Sequence, residues 1–164
     1  MVQKEKYSDQ AMNIEEISKI FQPPQDLVMQ FKDKIKAAGV DIEELPRAKY
    51  FLAARNDSTV LVLAHESAES VRWWGLGRDL VERVQEVDDV KANRTQWGAA
   101  LLDGHPTKGY WIWGHDLSKL KEIRGLGLDK TGRQYHFNGD ELDRHPSLVK
   151  SFFTIERFLR TVGL

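Results

Sequence analysis

The spacing of apolar residues changes period several times along the chain, and each change marks an element. Leu27, Phe31, Ile35 and Ala38 recur at helical spacing behind Pro23-Pro24, and Gly39 supplies a C-terminal cap. Before them, Asn13 and Glu16 read as an N-cap with its reciprocal glutamate, opening a short helix with Ile14, Ile17, Ile20 and Phe21 on one stripe. Residues 1–12 read as a polar tail and 41–46 as a linker.

Residues 50–55 and 59–65 read as two strands about the turn-forming Asn56-Asp57-Ser58. The second is apolar on both faces, which predicts a central place in a sheet. From Ser67, Val71, Trp74, Leu80, Val81, Val84 and Val87 suggest one helix, broken near Gly75 and Gly77. Residues 97–116 then give two apolar runs about a Gly-Pro-Gly linker, a second hairpin. Symmetric pairing places Gly98 opposite His115, with Leu102, Ala100, Trp111 and Trp113 sharing one face. A helix over 117–123, a short strand over 133–137 and a terminal helix from His145-Pro146 complete the chain.

The order ααββαββαβα predicts a single α+β domain over 13–164. Its sheet is expected to be mainly antiparallel, with four or five strands and helices packed mostly on one face.

Composition narrows the classes. The 24 Lys and Arg nearly balance the 25 Asp and Glu, so no global basic field advertises a polyanionic partner. Cysteine is absent, which removes disulfides and thiolate chemistry and fits a cytoplasmic protein. No apolar run approaches the roughly 20 residues of a membrane helix, so no membrane association is expected.

Candidate chemistry is sparse. The chain contains no G-x-S-x-G, no phosphate-binding loop and no zinc-ligand spacing. Asp79, followed by Asp89-Val90-Lys91, resembles the active-site signature of the PD-(D/E)xK nucleases. That resemblance implies two carboxylates on a divalent ion such as Mg²⁺ and a lysine beside the attacking water. The Pro-Asp pair of the signature is missing, and Leu80, Val84 and Val87 give the stretch helical periodicity where the signature needs strands.

The hairpin offers a different reading. Trp111 and Trp113 alternate onto one face, with His115 beside them, and basic residues outnumber acidic ones from Gly104 onward. Buried core is the plainer account of those indoles. An open face would instead make an aromatic platform, with Arg144, Lys150 and Arg157 meeting phosphates. The expected function is therefore a non-catalytic intracellular binding or regulatory module with DNA or RNA as preferred ligand. A metal-dependent nuclease and a protein-interaction domain are the alternatives.

Overall fold

The computed structural model describes residues 26–46, 49–67 and 71–164. The tail and the helix expected from Asn13 lie outside the described residues.

Helix α1 (Leu27–Ala37) starts where Asp26 accepts a hydrogen bond from the Val28 N–H at 2.9 Å. It ends at Gly39, whose φ of +88° is a conformation glycine adopts without a Cβ penalty. The expected linker instead contains a strand, β1 (Asp41–Glu44), antiparallel to β2 (Tyr50–Arg55). Its sequence DIEE shows no alternation because it is an outer strand with only Ile42 partly buried. Backbone pairing holds it, together with ion pairs from Lys32 and Lys36 to Glu44.

Strand β3 (Ser58–Glu66) pairs with β2 about Asn56, which has a positive φ as turn asparagines often do. β3 is central, as its continuous apolar run requires, but its other neighbour is parallel: β5 (Gln96–His105). β5 turns back antiparallel into β6 (Lys108–Trp113), and β6 pairs with β9 (Lys150–Phe152). Among the described residues the main sheet thus has six strands, ordered β1-β2-β3-β5-β6-β9, and is mixed. The expectation of a mainly antiparallel sheet of four or five strands is corrected accordingly.

The crossover from β3 to β5 contains β4 (Trp73–Gly77), α2 (Arg78–Gln85) and α3 (Asp88–Lys91). β4 joins β7 (Leu126–Leu128) and β8 (Gln134–Asn138) in a second, antiparallel sheet ordered β4-β8-β7. α4 (Gly114–Leu120) follows β6, and α5 (Gly139–Leu142) follows β8.

The terminal helix is shorter than expected. α6 (Ile155–Val162) begins at Thr154, whose hydroxyl accepts the Arg157 N–H at 3.1 Å, and Lys150 lies on β9 instead. Val149 and Phe152 are buried in opposite cores, which a single helix face cannot achieve. An extended segment at the sheet edge does so by alternation.

Both faces of the main sheet are covered. On one, α1 and α6 bury Phe31, Phe158 and Leu159 against Phe51, Val62, Ala100 and Trp111. The Phe31 and Phe158 rings meet edge to face at 4.8 Å, and Trp111 meets Phe158 at 5.6 Å. On the other, the second sheet, α2 and α4 pack Trp74, Leu76, Val81, Leu120 and Phe137 against Leu63, Leu101 and Ile112. Helices therefore occupy both faces, not mostly one.

Gly98 lies opposite Trp113 and Ala100 opposite Trp111, two residues from the symmetric pairing, because the ladder is irregular between Leu102 and His105. A slip of two keeps every side chain on its expected face. The Trp111 indole lies over Gly98, where a Cβ would collide with the ring.

His65, on β3, has its Nε2 buried without a hydrogen-bond partner among the described residues. Burial first, and repulsion from Lys49 second, bring its pKa down to about 4 from an ordinary 6.5. The unfolded chain therefore takes up this proton before the folded one. The His65 contribution is fully present above pH 6.5 and is lost as pH falls from 6.5 to 4, by about 3 kcal/mol in total. Urea denaturation across that range should show the decline, and His65→Leu should flatten it; equal pH dependence in both proteins would refute the assignment.

Candidate functional site

The segment WWGLG, expected as broken helix, is extended because its residues sort with a period of two. Trp74 and Leu76 point into the core, where Trp74 Nε1 donates to the Leu102 carbonyl at 3.0 Å. Trp73, Gly75 and Gly77 take the other face. In β8, Phe137 points inward while Gln134, His136 and Asn138 share the outer face. In register across the sheet, Trp73 stands beside Asn138, and His136 stands between Gly75 and Gly127.

Gly75 is overlain by the Gln134 side chain and Gly127 lies close against the Lys121 backbone, and the face between them borders an open hollow of about 620 Å³. Trp73 and His136 meet edge to face with centroids 4.8 Å apart, and both line the hollow. Asp129 and Lys130 reach its rim from the turn joining β7 to β8. The Asp129 carboxylate accepts from the Thr131 hydroxyl at 2.8 Å and from the Arg133 N–H at 3.1 Å. Those donors, the hydroxyl foremost, hold its pKa below the usual carboxylate range. Its second oxygen faces His136 Nε2 at 3.6 Å.

A charged cluster gathers around Arg72, the residue immediately before Trp73. The Arg72 guanidinium reaches Asp103 at 3.2 Å, Asp140 at 3.1 Å and Asp143 at 3.3 Å, and also bonds the Tyr110 hydroxyl. Tyr110 donates in turn to Asp143 at 2.6 Å. Burial, then that donated bond, raises the Tyr110 pKa well above the usual phenol range, so the hydroxyl keeps its proton.

The residues expected to bind a ligand are dispersed. Trp111 is 0% exposed and packs on α6, so it offers no surface for stacking; in this the aromatic-platform reading of the hairpin is corrected. Trp113 is partly exposed, and its ring lies nearly parallel to that of His115 at 6.3 Å. Both border a small hollow of about 140 Å³ beside Trp97. None of the three basic residues lines it. Arg144 is paired with Glu141 at 2.7 Å, Lys150 donates to the Pro146 and Ser147 carbonyls, and Arg157 lies on the exposed side of α6.

Asp79, Asp89 and Lys91 lie on helices, with Asp79 in the first turn of α2 and the other two on α3. Asp89 is paired with Arg94 and Lys91 with Glu86, each at 2.8 Å. The strand-borne arrangement of the nuclease signature is not formed, and no group of three metal-ligating side chains occurs among the described residues.

Trp73 and His136 were thus missed by sequence reasoning. The usable signal for Trp73 was the alternation in WWGLG, which was masked by the helical spacing of Leu80, Val81 and Val84 immediately downstream, whereas the segment holding His136 does read as a short strand. No protein-family pattern and no curated protein sequence matches the chain. No helix among the described residues is long and apolar enough to cross a membrane.

Two adjacent tryptophans with opposite environments give a direct check. Trp74→Ala should destabilise the fold by about 3–5 kcal/mol, the range for emptying a large core site. Trp73→Ala should cost about 1 kcal/mol or less. Guanidinium denaturation of the two variants should show this asymmetry, and equal losses would contradict the assignment of faces.

Proposed function

We propose that this chain is a non-catalytic binding module, that its preferred ligand class is single-stranded nucleic acid, and that bases stack on Trp73 beside His136. The observation that carries the reading is the open outer face of the second sheet. There the Trp73 indole and the His136 imidazole meet edge to face and both line the open hollow. A base presents a flat π-surface to such a platform whatever its sequence identity. Lys130 on the rim, with Arg133 nearby in the same turn, supplies positive charge for one or two phosphates. With a net charge of −1, stacking rather than long-range attraction has to provide most of the affinity.

Fluorescence anisotropy with a labelled single-stranded oligonucleotide of mixed sequence tests this reading. Trp73→Ala should weaken binding by roughly 5- to 150-fold, corresponding to the loss of one stacked base. The salt slope should be shallow, about −0.7 for each phosphate contacted. A folded Trp73→Ala protein that binds as tightly as the parent would sink the proposal.

A second reading, a protein-interaction module, is favoured by one observation. Phe153 is 66% exposed beside a groove of about 380 Å³ that also involves Ala37, Ala38 and Ile155. The Lys108 ammonium sits over its ring at 5.8 Å. Under this reading, sedimentation should show self-association that Phe153→Ser abolishes; a monomer at all concentrations removes support for a self-associating form.

A further inference from the structure

Arg72 immediately precedes Trp73 and is built into its surroundings at both backbone and side chain. Its carbonyl accepts the Gly139 N–H at 2.9 Å, tying the start of β4 to the start of α5. Gly139 is required there: a Cβ at that position would lie 2.8 Å from the Arg72 guanidinium carbon. Asp140 lies on α5 and Asp143 caps its end; α5 directly follows Asn138, the cross-strand partner of Trp73. Asn138 in turn caps α5, accepting from the Asp140 N–H at 2.9 Å. The other two partners of the guanidinium, Asp103 and Tyr110, belong to β5 and β6 of the main sheet.

One side chain therefore spans three bodies: the main sheet, the strand carrying Trp73 and the helix that follows β8. A guanidinium is suited to this because its N–H groups are rigidly arranged in a plane. A lysine ammonium would supply equal charge but only a single point of attachment. Arg72 is also no candidate for a phosphate contact, because its N–H groups already face three carboxylates and a hydroxyl.

We infer that Arg72 is a positioning residue for the Trp73 platform, holding the indole at a fixed height and angle over the outer face by bracing β4 against β5, β6 and α5. The inference rests on the reading of that face as the ligand site. A platform fixed before the ligand arrives avoids the ordering cost that would otherwise weaken binding. Tyr110 acts through Arg72 and Asp143 and does not reach the outer face, since its ring is buried in the core between the sheets.

The test uses the full chain labelled with 5-fluorotryptophan, with the ¹⁹F signal of residue 73 assigned by Trp73→Phe. In Arg72→Gln that signal should shift and broaden while those of Trp97, Trp111 and Trp113 keep their positions. Affinity for the mixed-sequence oligonucleotide should fall about tenfold. Arg72→Lys should recover less than half of the lost affinity, because it restores charge without the fork. An unmoved Trp73 signal with unchanged affinity in folded Arg72→Gln overturns the inference, and so does full recovery in Arg72→Lys. If Arg72→Gln fails to fold, Asp140→Asn removes only the leg that is 82% exposed and should shift the Trp73 signal in the same direction by less. No shift in that variant would again overturn it. If Trp73→Ala binds as the parent does, the ligand reading has failed, and the ¹⁹F comparison still decides whether Arg72 sets the indole.

Discussion

Parallel strands cannot be joined by a tight turn, so pairing β3 with β5 obliges the chain between Glu66 and Gln96 to cross a face of the main sheet. Here the crossover contains a strand as well as helices, and that strand recruits β7 and β8 from later in the chain. The result is a second sheet laid over the first, with Trp74, Leu76 and Phe137 filling the gap. A sheet laid on another has one face to bury and one to spare. The spare face holds Trp73 and His136, so the candidate site is a direct product of the parallel pairing.

The same constraint explains which parts of the fold were legible in the sequence. Local patterns reported truthfully at several places where neighbours in sequence are neighbours in space. The β2–β3 and β5–β6 hairpins, the cap at Gly39 and the central place of TVLVLAH are of this kind. Strands β4 and β9 were hidden because their partners are distant, and β7 because it is only three residues long. β4 was absorbed into the helical spacing of α2, and β9 into that of α6, since a run of three to five residues fits either period. β1 has too few apolar residues to leave any pattern.

The candidate site was less legible still. Two of the three tryptophans of the central hairpin drew attention as a possible ligand surface, yet the apolar run that made them conspicuous also places Trp111 in the core. Trp73 stood beside a second tryptophan and two glycines, where no single residue marks a ligand surface. Its exposure is decided by register across β4, β8 and β7, which brings Gly75 and Gly127 to either side of His136. The charge pattern was similarly opaque. Arg72, Asp103, Tyr110, Asp140 and Asp143 are scattered through the sequence, and only the stacking of one sheet on the other assembles them.

The outermost strand of the main sheet has a further consequence. β1 presents Asp41, Glu43 and Glu44 at exposed positions, while among the described residues its backbone has a pairing partner on one side only. Such an open ladder is a template onto which another extended chain could add. A row of carboxylates makes that addition unfavourable for a second copy of the same strand, because like charges would be brought side by side as the hydrogen bonds formed. Where an apolar edge would invite fibrous growth, this one terminates it. The residues that leave so faint a secondary-structure signal are the ones that guard this edge of the sheet.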